Sequence, residues 1–170
     1  MKIAFCFPGQ GSQDVGMGRA IADEFPAARA VYDEASEAVG FDVAKLCFEG
    51  SLEELTRTEL QQPALVATSI ACLRAVKTIG IEPDYVIGHS VGEYSALAAA
   101  DAIGAGDAVA LVRERGEAMA EAARAAPGAM AAVLATGAVL AAISAWAWWR
   151  TTETFMQFLH DFRKWAQEKK

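Results

Sequence analysis

The run Asp84-Tyr85-Val86-Ile87-Gly88-His89-Ser90-Val91-Gly92-Glu93-Tyr94-Ser95-Ala96 constrains this chain more tightly than any other stretch. A β-branched apolar segment stops at Gly88, a serine stands between two glycines, and a helix-forming segment continues through Leu97, Ala98, Ala99 and Ala100. The order predicts strand, sharp turn and helix. In such a turn a strained backbone pushes the serine hydroxyl clear of the sheet, while small neighbours at Gly88 and Gly92 let strand and helix pack closely behind it. Ser90 is the candidate nucleophile. The bare GxSxG spacing is a weak signal, because at an average glycine usage near 7% it arises by chance in roughly a few per cent of chains this long. The flanking strand and helix remove most chance matches, and the alternative is an ordinary glycine-rich turn.

A second loop carries a candidate partner for that serine. Lys2 to Phe7 is a short apolar run ended by Pro8 and Gly9, which suits a buried parallel strand delivering a loop to its carboxyl end, where open α/β sheets place their sites. Gln10 sits in that loop between Gly9 and Gly11, so its amide can donate to a developing oxyanion or simply satisfy its own turn. From Val15 to Gly40 the pattern is helical in two pieces, with Pro26 in the first turn of the second. Ser51 followed by Glu54 predicts a capped helix start. Gln61-Gln62-Pro63 opens the next helix, whose apolar stripe runs through Leu65, Val66, Ser69, Leu73, Val76 and Ile79. After the serine helix, Asp107 can cap a helix running to about Arg124. Within it, helical spacing alone does not separate Arg113 from Arg115, and either could be a solvated partner for the nearby glutamates.

Composition narrows the function classes. A formal net charge of −7 argues against nucleic acid, which needs a dense basic face to neutralise phosphates. Cys6, Cys47 and Cys72 are odd in number, far apart and set in apolar surroundings, so they read as buried thiols of a reducing compartment. No metal-ligand cluster stands out in the sequence, and no metal or cofactor is expected. The first apolar run is too short for a secretory leader, which with the thiols points to the cytoplasm.

Three motifs in order, Phe7-Pro8-Gly9-Gln10-Gly11-Ser12-Gln13, Gly88-His89-Ser90-Val91-Gly92-Glu93-Tyr94-Ser95-Ala96 and Arg115-Gly116-Glu117-Ala118-Met119, make the chain resemble the malonyl-CoA:acyl-carrier-protein transacylase family of fatty acid and polyketide synthesis. The resemblance runs to about Leu134, and at 170 residues the chain is roughly half the length usual in that family. It implies an α/β fold, a parallel sheet with flanking helices and an α/β-hydrolase-like core with a nucleophile elbow. By the same resemblance, Ser90 attacks the malonyl-CoA thioester, Gln10 and the Val91 N–H stabilise the oxyanion, and Gln62 and His89 line the site. Arg115 is matched to the arginine that pairs with the malonyl carboxylate, which suits a planar guanidinium fork. The acyl group then passes to the thiol of an acyl carrier protein, CoA thioester being substrate rather than cofactor. The family's base is a histidine of its second half, matched by neither His89 nor His160, so impaired activity is expected, with a non-catalytic binding module or a membrane-anchored stub as alternatives.

The resemblance divides the chain into a partial acyltransferase α/β core, 1–134, and a non-family helical tail, 135–170. Gly128 to Leu134 would be the strand that enters the family's smaller subdomain. Ala125 to Trp149 has no charged residue, and all four tryptophans fall beyond residue 145. That stretch fits a membrane span by length, although much of it is alanine and glycine. Thr152 to Lys170 reads as an amphipathic helix with Phe155, Phe158, Leu159, Phe162 and Trp165 on one face.

Overall fold

The computed structural model describes residues 2–126. In chain order the elements are β1 (Ala4–Phe7), α1 (Arg19–Glu24), α2 (Pro26–Val39), α3 (Val43–Glu49), α4 (Leu52–Thr56), α5 (Thr58–Thr78), β2 (Tyr85–Gly88), α6 (Gly92–Ala99) and α7 (Ala105–Ala125). The strand expected at 128–134, the boundary near 134 and the tail helix with His160 lie outside the described residues.

β1 and β2 pair in parallel, Ala4 opposite Tyr85 and Phe7 opposite Gly88. Parallel neighbours need a long crossover, and here α1 to α5 supply it. Because both strands run the same way, the loops after Phe7 and after Gly88 leave from one end of the sheet, as expected from the sequence. At the other end Asp84 ties the pair together: its carboxylate accepts from Lys2 Nζ at 2.7 Å and from the Ile3 N–H at 2.8 Å. The Lys2 bond, with the Ile3 N–H, holds the Asp84 carboxyl below its ordinary pKa.

Side chains alternate across this small sheet. Phe7 is buried, and Phe5 and Val86 are half-buried, packing with Leu73, Ala96 and Ala99 of the helical layer. Ala4, Cys6, Tyr85 and Ile87 are exposed on the opposite face. The expectation that all three thiols are buried therefore fails at Cys6. Its strand does bury a face, but Cys6 has the parity of Ala4, not of Phe5 and Phe7. Cys47 is fully buried, and burial pushes its thiol up to about 12, while Cys72 is half-buried.

The helices follow their local signals closely. Pro26 occupies the first turn of α2, where a missing N–H costs nothing, and the helix ends at Gly40 with φ of +75°. Ser51 and Glu54 form a reciprocal capping box: the Glu54 N–H donates to Ser51 Oγ at 3.2 Å, and the Ser51 N–H donates to Glu54 Oε2 at 2.9 Å. α7 begins at Ala105 rather than at Asp107, which lies in its first turn.

The central helix departs from expectation at its start. α5 begins at Thr58, so Pro63 lies inside it and Gln61 and Gln62 are buried rather than at a helix mouth. An interior proline removes the hydrogen bond to the carbonyl four residues earlier, here that of Glu59. Arg113 of α7 takes the vacancy, donating from Nη1 to Glu59 O at 2.9 Å. The same guanidinium pairs with Glu117 at 2.6 Å. α7 comes close enough because residue 116 is glycine: a Cβ there would lie 2.8 Å from Thr58 O and 2.9 Å from Glu59 Cα. α5 also packs against α2 and α6, and the core gathers Val31, Tyr32, Ala64, Val66, Ile70, Val109 and Val112, all buried.

Candidate active site

The two loops at the carboxyl ends of β1 and β2 meet. The His89 N–H donates to Phe7 O at 3.1 Å, extending the strand ladder one residue past Gly88. A Cβ on Gly92 would run into Phe7 O and Pro8 O, and one on Gly88 would run into the Gly92 backbone, so neither position accepts a side chain without displacement. Close approach here is backbone against backbone, which gives both glycines of the motif a steric reason. Ser90, between them, has φ of +55°, a left-handed conformation rare for residues other than glycine. Val91 follows as N-cap of α6. No described residue accepts a hydrogen bond from the Val91 N–H.

Arg115 reaches Ser90 from α7. Its Nη2 donates to Ser90 Oγ at 3.1 Å and its Nη1 donates to Gln62 Oε1 at 2.6 Å. Gln62 is fully buried, and its Nε2 lies 3.3 Å from Met119 Sδ, one turn along α7 from Arg115. Arg113 and Arg115 now separate cleanly. Arg113 is paired with Glu117 and the Glu59 carbonyl, whereas no described carboxylate pairs with Arg115. Arg115 thus presents a half-buried cationic fork, with donors to spare, beside the hydroxyl of a strained serine.

Gln10 lies in the loop after β1, exposed, at the same end of the sheet as Ser90. A Cβ on its neighbour Gly9 would strike His89 Nδ1, so the His89 ring lies close beside that loop. His89 is held against that loop, and no hydrogen bond joins its ring to Ser90. Among the described residues the one side-chain partner of Ser90 is therefore a donor, Arg115, not a base. Sequence reasoning assigned no role to Met119, and none to the Glu59 carbonyl that anchors Arg113. The second was signalled in the sequence by a proline four residues past Glu59. No group of three or more His, Cys, Asp or Glu side chains is arranged to hold a metal among the described residues.

The comparisons agree with this α/β frame of a parallel strand pair and flanking helices. Residues 4–146 match the family model described as the acyl transferase domain, and the chain belongs to that family. Within it the similar proteins are malonyl CoA-acyl carrier protein transacylases. The chain is 55% identical to that of Bacillus subtilis strain 168 over 129 residues, which cover 76% of this chain and 41% of the relative. With the Escherichia coli K12 protein it shares 46% over 130 residues, 76% of this chain and 42% of the relative. A solved malonyl CoA-acyl carrier protein transacylase from Clostridium perfringens superposes with a TM-score of 0.69 at 43% identity, covering 72% of this chain and 39% of that one. A malonyl-transacylase solved in complex with its type II polyketide acyl carrier protein gives 0.69 at 44%, over 72% and 40%. The chain thus spans about two-fifths of the length of the relatives it matches.

Proposed function

We propose that this chain carries the acyl-accepting part of a malonyl-CoA:acyl-carrier-protein transacylase. The observation that supports it best is Arg115, a guanidinium without a carboxylate partner among the described residues, hydrogen-bonded to Ser90 Oγ. A charged fork beside a nucleophile suits an acyl group that itself ends in a carboxylate, and malonyl is such a group. The strand, turn and helix around Ser90 act in this reading as a nucleophile elbow, and the frame is α/β-hydrolase-like. Ser90 Oγ attacks the thioester carbonyl, and the Val91 N–H and the Gln10 loop receive the oxyanion. The C–S bond breaks, CoA leaves as its thiol with the serine proton, and a malonyl ester stays on Ser90. A carrier-protein phosphopantetheine thiol reverses these steps and takes the malonyl group. The free thiols Cys6, Cys47 and Cys72 favour a reducing compartment, and we place the protein in the cytoplasm. No helix among the described residues is long and apolar enough to cross a membrane.

General-base assistance supplies about 10²–10⁴ in rate. Ser90 has only a donor beside it among the described side chains, so this chain by itself turns over slowly. Transfer of labelled malonyl from CoA to carrier protein is the assay, with Ser90→Ala as blank and His160→Ala as probe. The reading expects turnover barely above the blank. Near-normal turnover would contradict the impairment, and its loss in His160→Ala would identify a substitute base in the tail.

A further inference from the structure

Arg115 is aimed by an uncharged residue. Half-buried guanidinium groups are commonly neutralised by a carboxylate, as Arg113, two residues from Arg115 on the same helix, is by Glu117. Gln62 instead offers Arg115 an amide oxygen at 2.6 Å, from a side chain with no solvent exposure. It sits one residue before Pro63, on a helix that Gly116 allows α7 to approach closely, so its backbone is fixed as well as its side chain. An amide oxygen orients the fork but leaves its whole positive charge for a ligand.

We infer that Gln62 is a positioning residue that sets acyl specificity: it holds Arg115 towards Ser90 without neutralising it, and so keeps the site selective for an acyl group that ends in a carboxylate. The inference rests on the reading of Arg115 as the carboxylate-binding group. Gln62→Glu is nearly isosteric and places a carboxylate on Arg115, where the guanidinium keeps it ionised. Such an internal ion pair competes with an external carboxylate while leaving the packing of Gln62 in place. Gln62→Leu removes the anchor without adding charge.

Equilibrium binding of malonyl-CoA and acetyl-CoA to the full chain, measured by calorimetry at neutral pH, is the test. The unmodified chain is expected to prefer malonyl-CoA by tenfold or more, roughly the effect of one charge-assisted hydrogen bond at 1.4 kcal/mol per decade. Gln62→Glu and Arg115→Ala should each bring the two affinities to within about twofold by weakening malonyl-CoA alone. Gln62→Leu should lie between. Acetyl-CoA affinity is the control that a merely structural role would move, and it should stay unchanged in Gln62→Glu. If Arg115→Ala abolishes the preference and Gln62→Glu keeps it, the role given to Gln62 is overturned and that of Arg115 stands. If the unmodified chain binds both thioesters equally, both fall.

Discussion

Ser90 bears its strain for a geometric reason, and that strain can be measured. At φ of +55° a serine costs about 1 kcal/mol or more over glycine. Ser90→Ala keeps the strain and Ser90→Gly relieves it, so Ser90→Gly should be the more stable of the two by about 1 kcal/mol in urea denaturation. Equal stability would mean that the turn relaxes once the hydroxyl is gone. At this scale the sequence was informative where sterics are local. Gly88 and Gly92 could be assigned to close packing before any coordinates, because a serine on a strand-to-helix turn needs small neighbours. The choice of Arg115 over Arg113 was not open to helical spacing, since both sit among glutamates. It depends on what α5 presents opposite each: the Glu59 carbonyl for Arg113, the Gln62 amide for Arg115.

Among elements, the join between α5 and α7 is made by a proline. Pro63 frees the Glu59 carbonyl inside a helix, and Arg113 satisfies it. Arg113→Ala should then destabilise the protein by about 1 kcal/mol, the cost of taking the partner from a half-buried carbonyl. In a Pro63→Ala background the new N–H can reach that carbonyl, so the same substitution should cost at least about 0.5 kcal/mol less. Strict additivity in the double-mutant cycle would break the link between the proline and the arginine. The sequence misplaced this helix start because proline is commonest in a first turn, as at Pro26 of α2, and nothing local announces a long-range arginine that makes an interior proline tolerable. Cys6 was misread for a related reason. Its parity with Ala4 puts it on the face of the sheet away from the helices, and the apolar character of the run does not say which face is covered.

For the whole molecule, three hydrogen-bonded carboxylates shape its response to acid, one joining the strand pair and two standing at helix starts. Asp84, held by Lys2 and the Ile3 N–H, Glu54, held chiefly by the Ser51 N–H, and Glu59, held by a backbone N–H and by Arg57, all have lowered pKa values. A carboxyl lowered on folding stabilises the protein fully above its unfolded pKa, about 4, and that contribution fades as pH falls through the folded value. Urea midpoints should therefore drop below about pH 4, and Asp84→Asn should lower the midpoint at neutral pH while flattening that drop. An unchanged acid limb would mean that Asp84 does not anchor the strand pair. At this scale the α/β class and the parallel pairing of β1 with β2 were legible, because two apolar runs each end in a glycine-containing turn and a long helical stretch separates them. The central claim is that Ser90 is a nucleophile served by Arg115, and intact-mass spectrometry of the chain after prolonged incubation with malonyl-CoA tests it most directly. The account predicts a slow gain of one malonyl group, mapped to Ser90, absent in Ser90→Ala and slower in Arg115→Ala. Addition at another residue, or an equal gain in Ser90→Ala, would contradict it.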